Sequence, residues 1–182
     1  MNLLVVIVNY RTPELTIECL RSLAPEIAQI PDAKAVLVDN ASGDDSVPRF
    51  REALAEHGWN AWLELLVLPE NLGFAGGNNR GIEQHPDAKY VLLLNSDTIV
   101  HEGCLRYCWE LMESSPDIGA MSCLLKNADG SPQNVSRRFP TPARMIFRTL
   151  GLPWKLPAWF EWADTEDLGW DRASVKRDVD WL

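Results

Sequence analysis

The sequence predicts an α/β fold, a mostly parallel sheet with helices on both faces. Three observations lead there. Short apolar runs alternate with longer amphipathic ones from Leu3 to Leu125, the strand–helix–strand rhythm of a parallel sheet with crossover helices. The strand-like runs are nearly continuous in apolar residues, as expected of strands buried on both faces. Four of them stop abruptly in polar residues. In an open α/β sheet the carboxyl ends of the strands are where ligands bind.

The elements follow in order. Leu3 to Val8 is apolar and β-branched, a central strand ending in Asn9-Tyr10-Arg11. Thr12 is a good N-cap and Pro13 suits the first helical position, so a helix starts there and carries Leu15, Cys19, Leu20 and Leu23 toward a core. Ala35 to Val38 is a second strand, ending in Asp39-Asn40-Ala41-Ser42-Gly43-Asp44-Asp45-Ser46. A helix over Val47 to His57 and a strand over Trp62 to Leu68 come next. The glycine-rich stretch Asn71 to Gly81 then leads into a helix reaching about Gln84. Its glycines either let backbone approach an anionic ligand or make a tight strand-to-helix turn. It is not a P-loop, because no Gly-Lys-Ser/Thr ends it.

The organising stretch is Lys89 to Thr98. An apolar run, Tyr90 to Leu94, breaks into Asn95-Ser96-Asp97. These residues form either an ordinary turn or a site where a carboxylate holds a divalent ion and phosphate oxygens. A helix over Glu102 to Ser114 and a fifth strand over Ile118 to Leu125 follow, then a turn at Asn127-Ala128-Asp129-Gly130. From Ser131 the character changes. Prolines recur at 132, 140, 142, 153 and 157, and five of the eight tryptophans lie between Trp154 and Trp181. Ala143 to Leu150 is long enough for a short helix, and Val179-Asp180-Trp181-Leu182 reads as the start of a strand. The chain therefore divides into a core, residues 1–130, and a Pro/Trp-rich region, residues 131–182.

The 182 residues suffice for one domain with a real core. A net charge of -9 argues against a nucleic-acid surface, which needs basic patches. No apolar run approaches a membrane span, and the start, Met1-Asn2-Leu3-Leu4, lacks the charged region of a secretory signal. Cys19, Cys104, Cys108 and Cys123 show no disulfide framework, so a reducing, cytoplasmic setting is expected.

Taken together, Val-Asn-Tyr at 8–10, Val-Asp-Asn-Ala-Ser-Gly-Asp at 38–44, Asn-Leu-Gly-Phe-Ala-Gly-Gly-Asn-Asn at 71–79 and Leu-Asn-Ser-Asp-Thr at 94–98 resemble the family 2 glycosyltransferases of GT-A fold. The similarity is greatest to the rhamnosyltransferase-like branch, over roughly residues 3 to 135 and with all motifs in order.

That resemblance implies a Rossmann-like GT-A sheet binding a nucleoside diphosphate sugar, UDP- or dTDP-linked, at its carboxyl edge. Asn9 and Arg11 would line the nucleotide pocket. Asp39 would accept from the pyrimidine N–H, a role that suits a group offering only acceptors. Asn40 and Ser42 would shape the pocket. A loop containing Asn71, Gly73, Phe74, Ala75, Asn78 and Asn79 would close on the ribose and diphosphate. Asn95-Ser96-Asp97 matches the family's Asp-x-Asp position, with Asp97 the main ligand for Mg²⁺ or Mn²⁺. The implied reaction passes a sugar to a glycan or lipid-linked acceptor with inversion, as in polysaccharide or cell-wall biosynthesis. Inversion needs one general base, and no residue matches it. The family's acidic motif lies beyond a strand that begins much like Val179-Asp180-Trp181-Leu182. Asp164, Glu166 and Asp167 lack its surroundings and read as a solvated loop. The catalytic residue is therefore unassigned. On this resemblance residues 1–130 would be the nucleotide-sugar-binding core and residues 131–182 a partial acceptor region, the chain being truncated before the base or naturally short: a glycosyltransferase or its donor-binding part, or else a non-catalytic nucleotide-binding module acting through a partner chain. A nucleotidyltransferase would want a basic, glycine-rich loop after the first strand, and Asn9-Tyr10-Arg11-Thr12 is not one.

Two further groups stand out. His101, Cys104 and Cys108 are spaced to share a helix face, which fits zinc or, more simply, a buried stripe with Leu105, Leu111 and Met112. Arg137, Arg138, Arg144 and Arg148 interleave with Phe139, Met145, Ile146 and Phe147, followed by Trp154, Trp159, Phe160 and Trp162. These aromatics suit packing on the sheet, a peripheral contact with the inner face of a membrane, or a homodimer contact.

Overall fold

The computed structural model describes residues 1–133, 141–156 and 159. The chain divides into two compact units, Met1–Pro116 and Asp117–Leu182.

In the first unit β1 (Leu3–Asn9), β2 (Ala33–Asp39), β3 (Leu63–Val67) and β4 (Tyr90–Asn95) form one sheet in the order β3-β2-β1-β4. All three pairings are parallel, with Leu3 beside Ala33 and Tyr90, and Ala35 beside Leu63. The connecting helices are α1 (Pro13–Ile27), α2 (Ser46–Glu56) and α3 (Gly73–Ile82), and α4 (Cys104–Ser114) follows β4. A single 3-10 turn, Trp59–Ala61, precedes β3.

One face of the sheet packs Leu3, Val5, Ile7, Ala35 and Leu37 against Leu20, Leu23 and Ile27 of α1, Phe50 and Leu54 of α2, and Leu105 of α4. The other packs Leu4, Val6, Val36 and Val38 against Leu72 and Ile82, which flank or belong to α3. Strand order runs outward from β1 to β3 and then returns across β1 to β4. Right-handed crossovers therefore put α3 on the opposite face from α1 and α2. Each fully buried large apolar side chain contributes about 1.5–3 kcal/mol.

Four sequence expectations change. Leu15 is 47% exposed, so α1 buries Cys19, Leu20 and Leu23 but turns Leu15 outward. Strand β4 is not buried on both faces. It lies at the sheet edge, where Tyr90, Leu92 and Leu94 pack on the core while Val91 and Leu93 are 42% and 48% exposed. Helix α3 covers β1 and β2, leaving the outer face of β4 without that cover. Residues 118–125 form no strand among the described residues, because a strand exists only when a partner completes its ladder, and apolar composition cannot supply one. His101 precedes α4, which opens after Gly103 at φ 74°, so His101, Cys104 and Cys108 do not share one helix face. Apart from α3, which already starts at Gly73, the remaining strands and helices of this unit lie within a few residues of their expected spans.

In the second unit Asn127–Gly130 turns as expected, with Gly130 N–H donating to Asn127 O at 2.9 Å. Helix α5 (Pro142–Thr149) starts with Pro142, and the Thr141 hydroxyl accepts from Arg144 N–H at 3.3 Å. A single turn, α6 (Leu152–Lys155), follows. Arg137, Arg138, Phe139, Phe160, Trp162, Asp164, Glu166, Asp167 and Val179 to Leu182 lie outside the described residues. No helix among the described residues is long and apolar enough to cross a membrane.

Candidate functional site

Parallel register brings the polar strand ends together. Asn9 lies beside Asp39, Val8 beside Asn95, and Asp39 beside Val67. Residues separated by about thirty and then fifty-five positions in sequence thus share one edge. Three hydrogen-bonded groups organise it.

The first centres on Asn9, which is fully buried. Its Nδ2 donates to Asp39 Oδ1 at 2.9 Å and to Ser42 Oγ at 3.0 Å. Its Oδ1 accepts from Thr12 N–H, the Thr12 hydroxyl and the Thr16 hydroxyl, at 3.3, 3.2 and 3.0 Å. Thr12 is the N-cap residue of α1, but its hydroxyl serves Asn9 rather than a helix N–H. Asp39 is 1% exposed. Its carboxylate accepts from Asn9 and the Ser42 hydroxyl on Oδ1, and from Ser42 N–H on Oδ2. A carboxylate has about four acceptor positions, so Oδ2 keeps one that no described residue fills. Ser42 also accepts from Arg11 N–H at 3.0 Å. Arg11 and Ala41 both hold positive φ, 61° and 56°. Two non-glycine residues in the left-handed region on adjacent strand ends mark a locally strained edge that the surrounding bonds keep in place. Arg11 Nε donates to Ser42 O, and its guanidinium lies 5.0 Å from the Tyr10 ring centroid. Among the described residues its Nη groups make no hydrogen bond, so they are available to an anion.

The second group joins β2 to α3. Asn40, 2% exposed, donates from Nδ2 to Asn71 Oδ1 and Gly73 O, and its Oδ1 accepts from Leu72 N–H. Gly73 N–H donates to Asn71 Oδ1 at 2.8 Å. The expected loop over Gly73 to Asn79 is instead the body of α3. Its glycines have distinct jobs. Gly73 turns the chain at φ +70° with open space around it. Gly81 lies against the sheet so closely that a Cβ would meet Val6 Cγ1 at 2.4 Å, and one on Gly77 would meet Val8 Cγ1 at 3.0 Å. Close packing on β1, rather than ligand approach, accounts for those two positions. Phe74 and Ala75 are exposed on the first turn of α3, Asn79 is exposed further along, and Asn78 is buried with its Nδ2 on Phe74 O.

The third group is the turn after β4. Asn95 and Asp97 are exposed and Ser96 is half-buried. Thr98 N–H and its hydroxyl both donate to Asn95 O. Asp97 makes no hydrogen bond or ion pair among the described residues. The side chains at 95–97 offer an amide oxygen, a hydroxyl and a carboxylate. Hard oxygens with a single negative charge suit Mg²⁺ or Mn²⁺, whose other positions take phosphate oxygens and water.

Sequence reasoning missed four residues of α1. Thr16, Cys19, Ser22 and Glu26 each bond to a strand end or to the loop after β4. Burial pushes the Cys19 thiol pKa up, which keeps it protonated as the donor to Asn95 O at 3.6 Å. Glu26 is 1% exposed, and Gly103 N–H and Leu105 N–H donate to its carboxylate at the start of α4. The available signal is a charged residue on the stripe Thr16, Leu20, Leu23, Ile27, where an amphipathic helix otherwise carries apolar groups.

Comparison with known proteins gives the fold and the family. No curated protein sequence matches the chain. Among solved structures, S. aureus TarS residues 1–349 in complex with UDP-GlcNAc is 21% identical with a TM-score of 0.53, over 70% of this chain and 39% of TarS. Mannosyltransferase PcManGT from Pyrobaculum calidifontis, in complex with GDP-Man and Mn²⁺, is 23% identical with a TM-score of 0.59, over 69% of this chain and 36% of that one. The chain thus spans less than half the length of either structure, and the likeness establishes the shared fold. The family model described as "Glycosyl transferase family 2" matches residues 4–165, nearly the whole sequence. The sheet, its polar carboxyl edge and that match agree: the chain belongs to glycosyl transferase family 2.

Proposed function

We propose that this chain is the donor-binding part of a glycosyltransferase that uses a nucleoside diphosphate sugar. The observation that carries the reading is the convergence of Asn9, Asp39 and Ser42 with the turn Asn95-Ser96-Asp97 on one sheet edge. Asp39 presents its remaining Oδ2 acceptor to the N–H of a pyrimidine, which favours UDP or dTDP. Asn9 and Ser42 hold that carboxylate in orientation, and Arg11 offers its guanidinium to phosphate. Phe74, Ala75 and Asn79, exposed on α3, and Gly73 at its start flank the ribose and diphosphate, with Asn40, Asn71 and Asn78 fixing that helix start.

Asp97, with Asn95 and Ser96, would hold Mg²⁺ or Mn²⁺. Such an ion supplies positive charge against the charge building on the departing diphosphate. The acceptor is a glycan or lipid-linked sugar, and transfer proceeds with inversion. The general base is assigned to no described residue.

The test is calorimetric titration of UDP, dTDP and GDP into the protein, with Mn²⁺ and with chelator, on wild type and Asp97→Ala. The expected result is binding strengthened by Mn²⁺, with that gain reduced tenfold or more in the variant. Failure of all three nucleotides to bind refutes the reading. Binding that ignores both metal and Asp97 leaves a plain nucleotide-binding module in its place.

A further inference from the structure

Helix α1 meets the segment Asn95 to Leu105 at four successive points. The Cys19 thiol donates to Asn95 O at 3.6 Å. Ser22 Oγ accepts from Val100 N–H at 2.9 Å while donating to Cys19 O at 2.7 Å. Glu26 Oε1 accepts from Gly103 N–H at 2.9 Å, and its Oε2 accepts from Leu105 N–H at 3.2 Å. Positions 19, 22 and 26 are three and four residues apart, so these side chains line one face of the helix in order. Their partners also run in order along the segment. All are backbone groups, and the N–H groups of Val100 and Gly103 belong to neither strand nor helix. Asp97 lies between the first and second attachment points. At its other end the same helix bonds to Asn9 through Thr12 and Thr16.

We infer that α1 is the positioning element for the Asp97 turn, with Ser22 and Glu26 as its positioning residues. Within itself the turn has the two Thr98 bonds to Asn95 O, which close it but do not tie it to the body of the protein, and an exposed carboxylate on an untethered turn would lose entropy each time it engaged an ion. Bonds to a helix whose inner face packs on the core remove part of that loss before binding. Because one helix holds both the Asn9 network and this turn, it also sets the spacing between Asp39 and Asp97. That spacing decides whether one diphosphate nucleotide reaches both. The inference rests on the donor-site reading above.

The test uses whichever of UDP, dTDP or GDP binds tightest. Its affinity is measured by calorimetry in Mn²⁺ and in chelator for wild type, Asp97→Ala, Ser22→Ala, Ser22→Thr and Glu26→Gln. Ser22→Ala is expected to weaken the Mn²⁺-dependent affinity about fivefold, as the loss of one hydrogen bond implies. Affinity in chelator should not change, and Ser22→Thr, which keeps the hydroxyl, should restore the loss. Glu26→Gln should weaken it further, since an amide nitrogen then faces an N–H; if that variant does not fold, the Ser22 pair carries the test. Amide exchange at Val100 should quicken in Ser22→Ala without ligand. A purely structural role would weaken both affinities alike or neither, and either result overturns the inference. If Asp97→Ala abolishes the metal-dependent gain and Ser22→Ala leaves it intact, only the positioning role fails. If wild type shows no such gain, or Asp97→Ala retains it, the donor-site reading fails and the inference falls with it.

Discussion

Replacing Asn9 by Asp changes one atom in a fully buried side chain and converts a donor into an acceptor. Asn9 Nδ2 donates to Asp39 Oδ1 at 2.9 Å and to Ser42 Oγ at 3.0 Å. In Asn9→Asp the Asp39 carboxylate would instead face a second carboxylate at that distance. Two unit charges so placed repel by ~6 kcal/mol at an effective dielectric of ~20. Protonating one of them at pH 7 costs less, ~4 kcal/mol for an acid whose ordinary pKa is about 3.9. The folded variant therefore takes up a proton, and its O–H donates where the amide did. A pKa raised in the folded state means that the native form binds more protons than the unfolded one. The variant's stability relative to wild type then falls as pH rises above ~4, by ~1.4 kcal/mol per unit, until the raised folded pKa is passed. At pH 7 the deficit is a large share of the ~5–15 kcal/mol that holds a typical domain. Urea unfolding followed by tryptophan fluorescence at pH 5, 6 and 7, with wild type alongside, measures it. A deficit that does not grow between pH 5 and pH 7, or Asn9→Asp as stable as wild type at pH 7, would refute the buried Asn9–Asp39 bond as described.

Two other predictions follow from packing and burial. Gly81→Ala gains ~1 kcal/mol of helix propensity but drives a methyl to 2.4 Å from Val6 Cγ1. A net loss of ~1–3 kcal/mol in urea unfolding is expected. Unchanged stability would mean that α3 rides further off the sheet. Cys19 is buried with its pKa raised by desolvation, so it should resist iodoacetamide at pH 8 in the folded protein and react once the protein is unfolded in urea. Mass spectrometry of the tryptic peptide reads this, and rapid native labelling would contradict the assignment of its thiol to Asn95 O.

Much of the site was legible in the chain. Leu3 to Val8 and Ala35 to Val38 announce strands through apolar, β-branched composition, a local property. The polar residues that end them mark the carboxyl edge because parallel strands all end on the same side. Asn9, Asp39 and Asn95 could therefore be grouped before any contact was known. The motif order carried the family in the same way. Hydrogen-bond roles were less legible. Thr12 reads as a helix cap, and it does sit at the cap position, yet Asn9 takes its hydroxyl.

Sequence period and composition give each segment its preference, and up to Ser114 the strands and helices follow it, but the apolar run 118–125 forms no strand because no partner meets it among the described residues. Period and composition do not settle neighbours. Strand β4 has the apolar run of a central strand, but the order β3-β2-β1-β4 puts it at an edge and exposes Val91 and Leu93. The glycines of residues 73–81 look alike in the chain. Only the approach of α3 to Val6 and Val8 separates the packing glycines, Gly77 and Gly81, from the turn glycine, Gly73. Glu26 reads as one more surface acid until the fold brings the start of α4 to it, seventy-seven residues further along the chain. Local sequence encodes what a segment prefers, whereas burial, edge position and hydrogen-bond partners depend on which distant segments arrive beside it, and the packed sheet decides that.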